Sequence, residues 1–374
     1  MTTNKLSRRS LLGASVAVST AVRSSAQNSA ITVGLLGSGS RGTYVSTLMA
    51  KNTTARVVAL CDLFPEKMEK AKASIGVENP RLYQDLHKML ASDIDAVIIA
   101  TPVFLHADHF EAALKSGKHI YIEKPASATV EGCKRIMRLS DAADRKLNIT
   151  FGFQRRYGQV YLKAKALADS GAAGSIQMGF ARFIKSGGAP GAAKLAPPKT
   201  EAEKIANLGV WQELSGDLIV ENNVHSIDVL NWFLGGRPLS AIGSGGAVRP
   251  QKGDMRDHNF VAFEYQGGVQ GQLSGATLAA PGYRDVVEQF FGETGVIETS
   301  ENHWRHFRAP GQETVEKSPR NIVIDSVSAF VRRIQDGKPE NTGVRGAEST
   351  LTAILGRMAM DLRHEVTWEE MMKS

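Results

Sequence analysis

The sequence predicts an α/β chain in two parts: a parallel sheet wrapped in helices, then an α+β region whose strands run mainly antiparallel. Three observations predict it. Between residues 31 and 122 short apolar runs alternate with helical stretches and stop at Asp, Thr-Pro or Lys-Pro. Strand-like segments then recur between 241 and 299, some joined by turns as short as Gln266-Gly267-Gly268. The chain has 374 residues, 42% of them hydrophobic, which suffices for two domain cores with room for a third.

The first residues carry Lys5, Arg8, Arg9 and Arg23 and no acid, so they supply +4 of the net charge of +7. The remainder is spread thinly, without a long basic run, which leaves nucleic-acid binding without electrostatic support. Ser7-Arg8-Arg9-Ser10-Leu11-Leu12, the mildly apolar Gly13–Val22 and the small Ser24-Ser25-Ala26 read as an export leader over residues 1–26. Its paired arginines resemble the twin-arginine signal of proteins exported already folded. That export machinery is therefore an expected partner, and the periplasm, or another site reached in folded form, the expected location. The apolar run is too short and too rich in Ser, Gly and Thr to span a bilayer, so no stable membrane insertion is expected.

From Ile31 the order is strand, glycine loop, helix. Ile31–Leu36 is a short buried strand, Gly37-Ser38-Gly39-Ser40-Arg41-Gly42 the loop, and Thr43–Asn52 the helix. A second strand, Arg56–Cys61, ends at Asp62. Gly37 permits a tight turn, Gly39 lets backbone approach a pyrophosphate, and Gly42 lets the helix pack closely with its free N–H groups facing phosphate. Asp62 would accept hydrogen bonds from ribose hydroxyls and repel a 2′-phosphate. The unit therefore reads as a nicotinamide-dinucleotide site that favours NAD over NADP, a preference Arg41 could soften by pairing with phosphate. Helices are expected at Pro65–Ile75, Tyr83–Ala91 and His106–Ser116, with strands at Asp95–Ala100 and His119–Ile122. Thr101-Pro102 and Glu123-Lys124-Pro125 close two of the strands at the carboxyl edge of the sheet, where such sheets place ligands. Cys61 and Cys133 are read as buried small hydrophobes, with no disulfide framework.

Farther on, Leu147–Phe153 reads as a strand, Tyr157–Asp169 as a helix and Ser175–Phe183 as a strand. Gly187–Asn207, rich in Gly, Ala and Pro, reads as a long surface loop of the kind that serves as a lid or an oligomer arm. Asp217–Phe233 is helical. Glu221, His225 and Asp228 stand at i, i+4 and i+7 and so share a face, with Asp217 a turn earlier. Ile219, Val220, Val224, Ile227 and Leu230 supply the buried side. Strands follow at Ala241–Val248, Asn259–Tyr265, Val269–Ser274, Val286–Phe291 and Val296–Thr299, then amphipathic helices at Ile324–Gln335 and Gly346–Arg363. No metal-ligand spacing occurs.

These motifs in this order resemble the Gfo/Idh/MocA family of glucose–fructose oxidoreductase and inositol dehydrogenase. The glycine loop at 37–42, Thr101-Pro102 with His106, and Glu123-Lys124-Pro125 match its cofactor-domain motifs. Gly152-Phe153 with Arg156-Tyr157 matches its crossover, and Glu221 through Asp228 its active-site helix. The resemblance spans roughly residues 31–365. It implies an α/β Rossmann domain plus an α+β domain with an open, predominantly antiparallel sheet. The implied division is a cofactor domain over 27–150, a substrate and oligomerisation domain over 151–335, and a helical segment over 336–374 packing back toward the first. It implies oxidation or reduction of a sugar or polyol hydroxyl with NAD, tightly held. Lys124 matches the family's active-site lysine and His225 its catalytic histidine; Glu221 stands where many members have aspartate and Asn223 where many have glycine. The asparagine is expected to leave a polar group beside the pocket.

With that resemblance, His225 is the natural base, because its ordinary pKa lies near neutrality. Glu221 or Asp228 would orient it, and Lys124 would hydrogen-bond the reacting oxygen. Gly37, Ser38, Gly39, Arg41, Gly42, Asp62, Thr101, Pro102, His106, Glu123 and Lys124 are the expected cofactor contacts, His106 at a helix start near the ribose. Arg155 and Arg156 are candidates for substrate or cofactor phosphate, with ordinary ion pairing the alternative; Tyr157 adjoins them, and Trp211 could stack on a sugar face. An open sheet implies a homo-oligomer, because an uncovered apolar face needs a partner. Two other readings stay open: a redox-mediated sugar lyase, glycosidase or epimerase with no net change of NAD, and a non-catalytic carbohydrate-binding protein that retains the cofactor.

Overall fold

A computed structural model describes residues 30–187 and 193–374. The leader read at 1–26 and part of the 187–207 stretch lie outside the described residues. Six strands, β1 (Thr32–Leu36), β2 (Arg56–Cys61), β3 (Arg81–Tyr83), β4 (Ala96–Ile99), β5 (His119–Ile122) and β6 (Ile149–Phe151), alternate with five helices. These are α1 (Ser40–Asn52), α2 (Pro65–Ile75), α3 (Leu86–Leu90), α4 (His106–Lys115) and α5 (Val130–Asp141). All six strands run parallel in the order β3-β2-β1-β4-β5-β6. That is the Rossmann order, and the winding reverses between β1 and β4, where a ligand crevice opens outside the carboxyl ends. All of β4 and nearly all of β1 are buried, as helices on both faces require.

Local chemistry sets the helix ends. The Asp85 carboxylate accepts from the backbone N–H groups of His87 and Lys88, starting α3. Gly76, at φ 79°, closes α2. The helix expected over Tyr83–Ala91 is therefore split: Tyr83 ends β3, an edge strand too short to show a period, and the Asp85 cap starts the helix only at Leu86.

The second sheet contains β7 (Ile176–Lys185), β8 (Ser240–Gly246), β9 (His258–Glu264), β10 (Gln270–Ala276), β11 (Arg284–Gly292), β12 (Val296–Thr299), β13 (His303–Ala309), β14 (Gln312–Lys317) and β15 (Val366–Thr367). Its order is β14-β13-β12-β11-β7-β10-β9-β8-β15, antiparallel throughout except β7 with β10. Both sheets match the expected fold class. The β13–β14 hairpin was not expected, because an edge hairpin carries charged and polar residues in place of an apolar period: His303-Trp304-Arg305-His306, then Gln312–Lys317 with Val315 alone apolar.

The remaining helices are α6 (Gln159–Asp169), α7 (Glu201–Ala206), α8 (Gln212–Ser215), α9 (Val224–Phe233), α10 (Ile322–Gln335), α11 (Gly343–Leu362) and α12 (Trp368–Lys373). One face of the nine-stranded sheet packs on helices through Val261, Phe263, Leu273 and Phe290, all buried. The other face is uncovered, with Phe260 51% and Ile242 54% exposed. α10 lies on the first domain, its Val327 and Phe330 joining Val33, Leu35 and Val45 in one core, and Phe330 meets Tyr121 edge-on at 5.6 Å. α11 ties the two domains: Thr350 Oγ1 accepts from Ala126 N at 3.0 Å, and Thr352 Oγ1 accepts from Asn231 Nδ2 at 2.9 Å. The crevice at the carboxyl ends of β1 and β4 is thus bounded on its far side by the second domain.

Candidate active site

β1 runs into Gly37 at φ 94°, where a Cβ would lie 2.6 Å from the Ala100 carbonyl group; glycine is required there twice over. Gly42, in the first turn of α1, is held so close that a Cβ would sit 2.1 Å from Gly37 O. At Gly39 the case is opposite, because a Cβ would meet nothing within 4 Å and would project into open space. That space belongs to a cavity of about 550 Å³ lined by Gly37, Gly39, Ser40, Asp62, Thr101 and His106 among others. Asp62 is fixed on its wall: Oδ2 accepts from Ser38 N at 2.8 Å and Oδ1 from Phe64 N at 3.0 Å. Ser38 Oγ is buried and has no partner among the described residues.

These features fit a dinucleotide. The thirteen-residue α1 presents its N-terminus to the cavity, Gly39 leaves the room a pyrophosphate needs, and Asp62 supplies acceptors for ribose. Arg41 does not answer Asp62. Its guanidinium pairs with the buried Glu123 at 2.9 Å and lies over the Tyr44 ring, so Asp62 keeps its repulsion of a 2′-phosphate. His106 joins the two strand-end segments, with Nε2 2.9 Å from Thr101 O and Nδ1 2.7 Å from Pro125 O. Thr101 Oγ1 lies 2.9 Å from His109 Nδ1, and burial pushes that imidazole down to about 4.

Lys124, Glu221, His225 and Arg41 line both this cavity and a second, of about 560 Å³, walled by the large sheet and the start of α10. Lys124 Nζ donates to Glu221 O at 2.5 Å and stands 3.9 Å from Glu221 Oε1. The carrying segment is a π-helical turn, Ile219–Asn223, that passes directly into α9. Burial pushes the Glu221 carboxyl up, against the pull of Lys124 and Lys185. Burial likewise holds His225 well below the ordinary imidazole range, and Lys124, Arg155, Arg41 and Lys185 push the same way. His225 Nδ1 is buried with no hydrogen-bond partner among the described residues. Phe153 meets its ring edge-on at 6.3 Å.

Several expectations need correction. Asp228 does not orient His225. It is buried against Arg156, which bonds it through Nε and Nη2 at 2.8–3.1 Å, and against Ser349 Oγ at 2.7 Å. Asp217 is no part of a shared stripe either, since it precedes the helix turn at φ 79° and pairs with Arg256 at 2.6 Å. Asn223 turns away from the cavities: its Oδ1 accepts from Asn259 at 2.8 Å and occupies the space beside Gly275. Arg155 is fully buried, and its Nη1 bonds Glu288 and Ser226 Oγ, the latter at 2.9 Å, so its charge is paired within the core. Arg156 and Tyr157 border a separate cleft beside Trp232 and Arg333. Trp211 lines neither cavity; it precedes the short helix α8.

Other lining residues were missed. Lys185 lies two residues beyond the expected end of its strand. Extending the alternation of Gly179, Ala181 and Phe183 would have placed it on their face. Glu201 and Ile205, within the stretch read as loop, and Leu208, just past it, border the dinucleotide cavity. The signal there was the capping box of Thr200 and Glu203 that starts α7. Asn222, Arg284 and Arg320 carried no local signal.

Comparison with known proteins agrees with this geometry. Residues 31–151 match the model of the Gfo/Idh/MocA oxidoreductase family, NAD-binding Rossmann fold, and residues 161–298 match the Gfo/Idh/MocA C-terminal domain. Inositol 2-dehydrogenase of Rhizobium meliloti (strain 1021) is 28% identical over 267 residues, covering 71% of this chain and 74% of that protein. Myo-inositol 2-dehydrogenase of Thermotoga maritima is 22% identical over 356 residues, covering 90% and 98%. Among solved structures, levoglucosan dehydrogenase in complex with NADH and levoglucosan superposes with a TM-score of 0.77 at 18% identity, over 91% of this chain and 99% of that one. Scyllo-inositol dehydrogenase from Lactobacillus casei with bound NAD(H) and scyllo-inositol gives 0.73 at 20% identity, over 92% and 100%. The two family matches together take in most of the chain, cofactor unit and sheet domain alike, and the chain belongs to the Gfo/Idh/MocA oxidoreductase family.

Proposed function

We propose that the chain is an NAD-dependent dehydrogenase of a sugar or polyol hydroxyl, with Lys124 and His225 managing the hydroxyl proton. The observation that carries this is the position of Lys124, Glu221 and His225 on the wall common to the two cavities. A carbinol placed in the second cavity would meet them at the mouth of the first. Bound NAD supplies the acceptor for the electron pair of the carbinol C–H bond. His225, kept neutral by burial and four neighbouring cations, is free to take the hydroxyl proton. Lys124, anchored on Glu221 O, donates to the same oxygen and favours its alkoxide character. The inositol and levoglucosan dehydrogenases among the relatives support the substrate class.

The leader read at residues 1–26 supports a finer reading. NAD would be loaded before export, leave with the folded chain and be recycled in place. Protein that lost NAD on simple dialysis, and turned over only with added NAD, would contradict it. The activity itself is tested by adding a panel of sugars and polyols to NAD-loaded protein and following reduced cofactor. His225→Ala should lower turnover about 10²- to 10⁴-fold while leaving NAD bound. Loss of NAD in that variant, or undiminished turnover, overturns the assignment. Product analysis separates net oxidation, which leaves a keto sugar or lactone, from cleavage or epimerisation without net change of NAD.

A further inference from the structure

The second cavity holds more cations than the proton chemistry uses. Lys185, Arg284 and Arg320 line it together with Arg41 and Lys124, against the carboxylates of Glu221 and Glu301. Each arginine has an acid of its own: Arg41 has Glu123 at 2.9 Å, Arg284 has Glu301 at 3.2 Å, and Arg320 Nε has Asp325 at 2.7 Å. Lys124 rests on Glu221. Lys185 has no carboxylate within ion-pairing distance among the described residues. Among the described residues its ammonium meets the neutral Asn222 Oδ1 at 2.5 Å and overlies the Phe183 ring at 5.4 Å.

An ammonium carries three donors, and this one spends a single donor on an amide oxygen. Burial, with repulsion from Lys124 and Arg284, pushes Lys185 below the ordinary lysine range, and Glu221 opposes the shift. Glu221 is a poor counter-charge because its own carboxyl is pushed up. A half-buried cation between two others, without an acid, costs free energy in the empty protein. Nor does the fold ask for lysine there, since Ala181 and Phe183 on the same face of β7 are apolar. The arginines on either side each engage their acid through part of the guanidinium, which leaves further N–H donors unspent.

We propose that the substrate is an anionic sugar or polyol, whose carboxylate or phosphate is received by Lys185 with Arg284 and Arg320 while its reacting hydroxyl lies at Lys124 and His225. This deepens the dehydrogenase reading and rests on it. A bound anion would supply the charge Lys185 lacks, and a desolvated pair of that kind is strongly discriminating.

Calorimetric titration of NAD-saturated protein with matched compounds tests it: glucose against glucuronate and glucose 6-phosphate, and inositol against inositol monophosphate. At least one acid should bind about tenfold or more tightly than its neutral partner, and the gap should narrow as salt rises. The carboxylate and phosphate arms decide which anion fits. Lys185→Gln and Arg284→Gln should each shrink the gap severalfold. Equal affinities within every pair, or a gap unchanged in both variants, overturn the proposal. Turnover of the same compounds is read separately. Acids that bind preferentially without being oxidised defeat the dehydrogenase reading and leave the anion site standing; neutral sugars oxidised and bound as well as the acids do the reverse.

Discussion

At His225 the field of four cations adds to burial, and both disfavour the imidazolium. A base must be unprotonated to accept the hydroxyl proton, and a depressed pKa keeps the neutral form below the usual value of about 6.5. The acid limb of kcat/KM should therefore fall below pH 6.5, with the plateau running through it. A limb centred at or above about 6.5 would show that His225 is not the group titrating. Asp228 supplies the contrast on the same helix. Its buried carboxylate pairs with the mostly buried Arg156, so Asp228→Asn leaves that guanidinium without its charge partner. The expected loss is about 3 kcal/mol or more in denaturant unfolding, with the acid limb of the surviving activity unmoved. A shifted limb without loss of stability would restore Asp228 to the site.

The glycine loop divides its work between packing and binding. Gly42 is pressed on Gly37 O, so Gly42→Ala must push α1 off the loop and should lower stability by about 1–3 kcal/mol. Gly39 faces open cavity, so Gly39→Val should lose less stability than Gly42→Ala, only the modest cost of a poorer helix cap, and lose NAD affinity, read by titration, by at least tenfold. Equal stability losses in the two variants would contradict this division. Much of it was legible, because strand, loop, helix and Asp62 in register specify one local geometry. Helix-face arithmetic served less well. It assumed 3.6 residues per turn across Glu221–Asp228, whereas Ile219–Asn223 winds as a π-turn and α11 with Arg156 claims the Asp228 flank. Arg155 was illegible for another reason: Glu288, which neutralises it, lies 133 positions away on β11. A charge in a sequence does not announce whether its partner is a ligand or a distant carboxylate. Lys185 on β7 lies opposite Arg284 on β11, and Arg320 comes from the loop before α10, so only the folded chain brings the three to one cavity.

Over the whole molecule, the nine-stranded sheet does two jobs with opposite faces. β7 sends Phe183 and Lys185 toward the helices and the second cavity, while Phe180 on its other face meets Phe291 edge-on at 5.6 Å. Phe260 and Ile242 extend that uncovered face across β9 and β8. The exposed apolar side chains on this mixed face are costly in water, and a second copy of the same face would cover them with twofold symmetry. Association would also stiffen the strand that carries Lys185, so the cavity floor would gain rigidity from a contact made on its far side. The purified protein is therefore expected to run in light scattering at twice the mass of one chain or more. Phe260→Glu combined with Ile242→Lys should reduce it to single chains, because charges on facing copies forfeit the burial that joins them. NAD affinity should persist in that variant, since the dinucleotide cavity lies in the other sheet's crevice. A single-chain mass for the unaltered protein across micromolar concentrations would defeat the expectation.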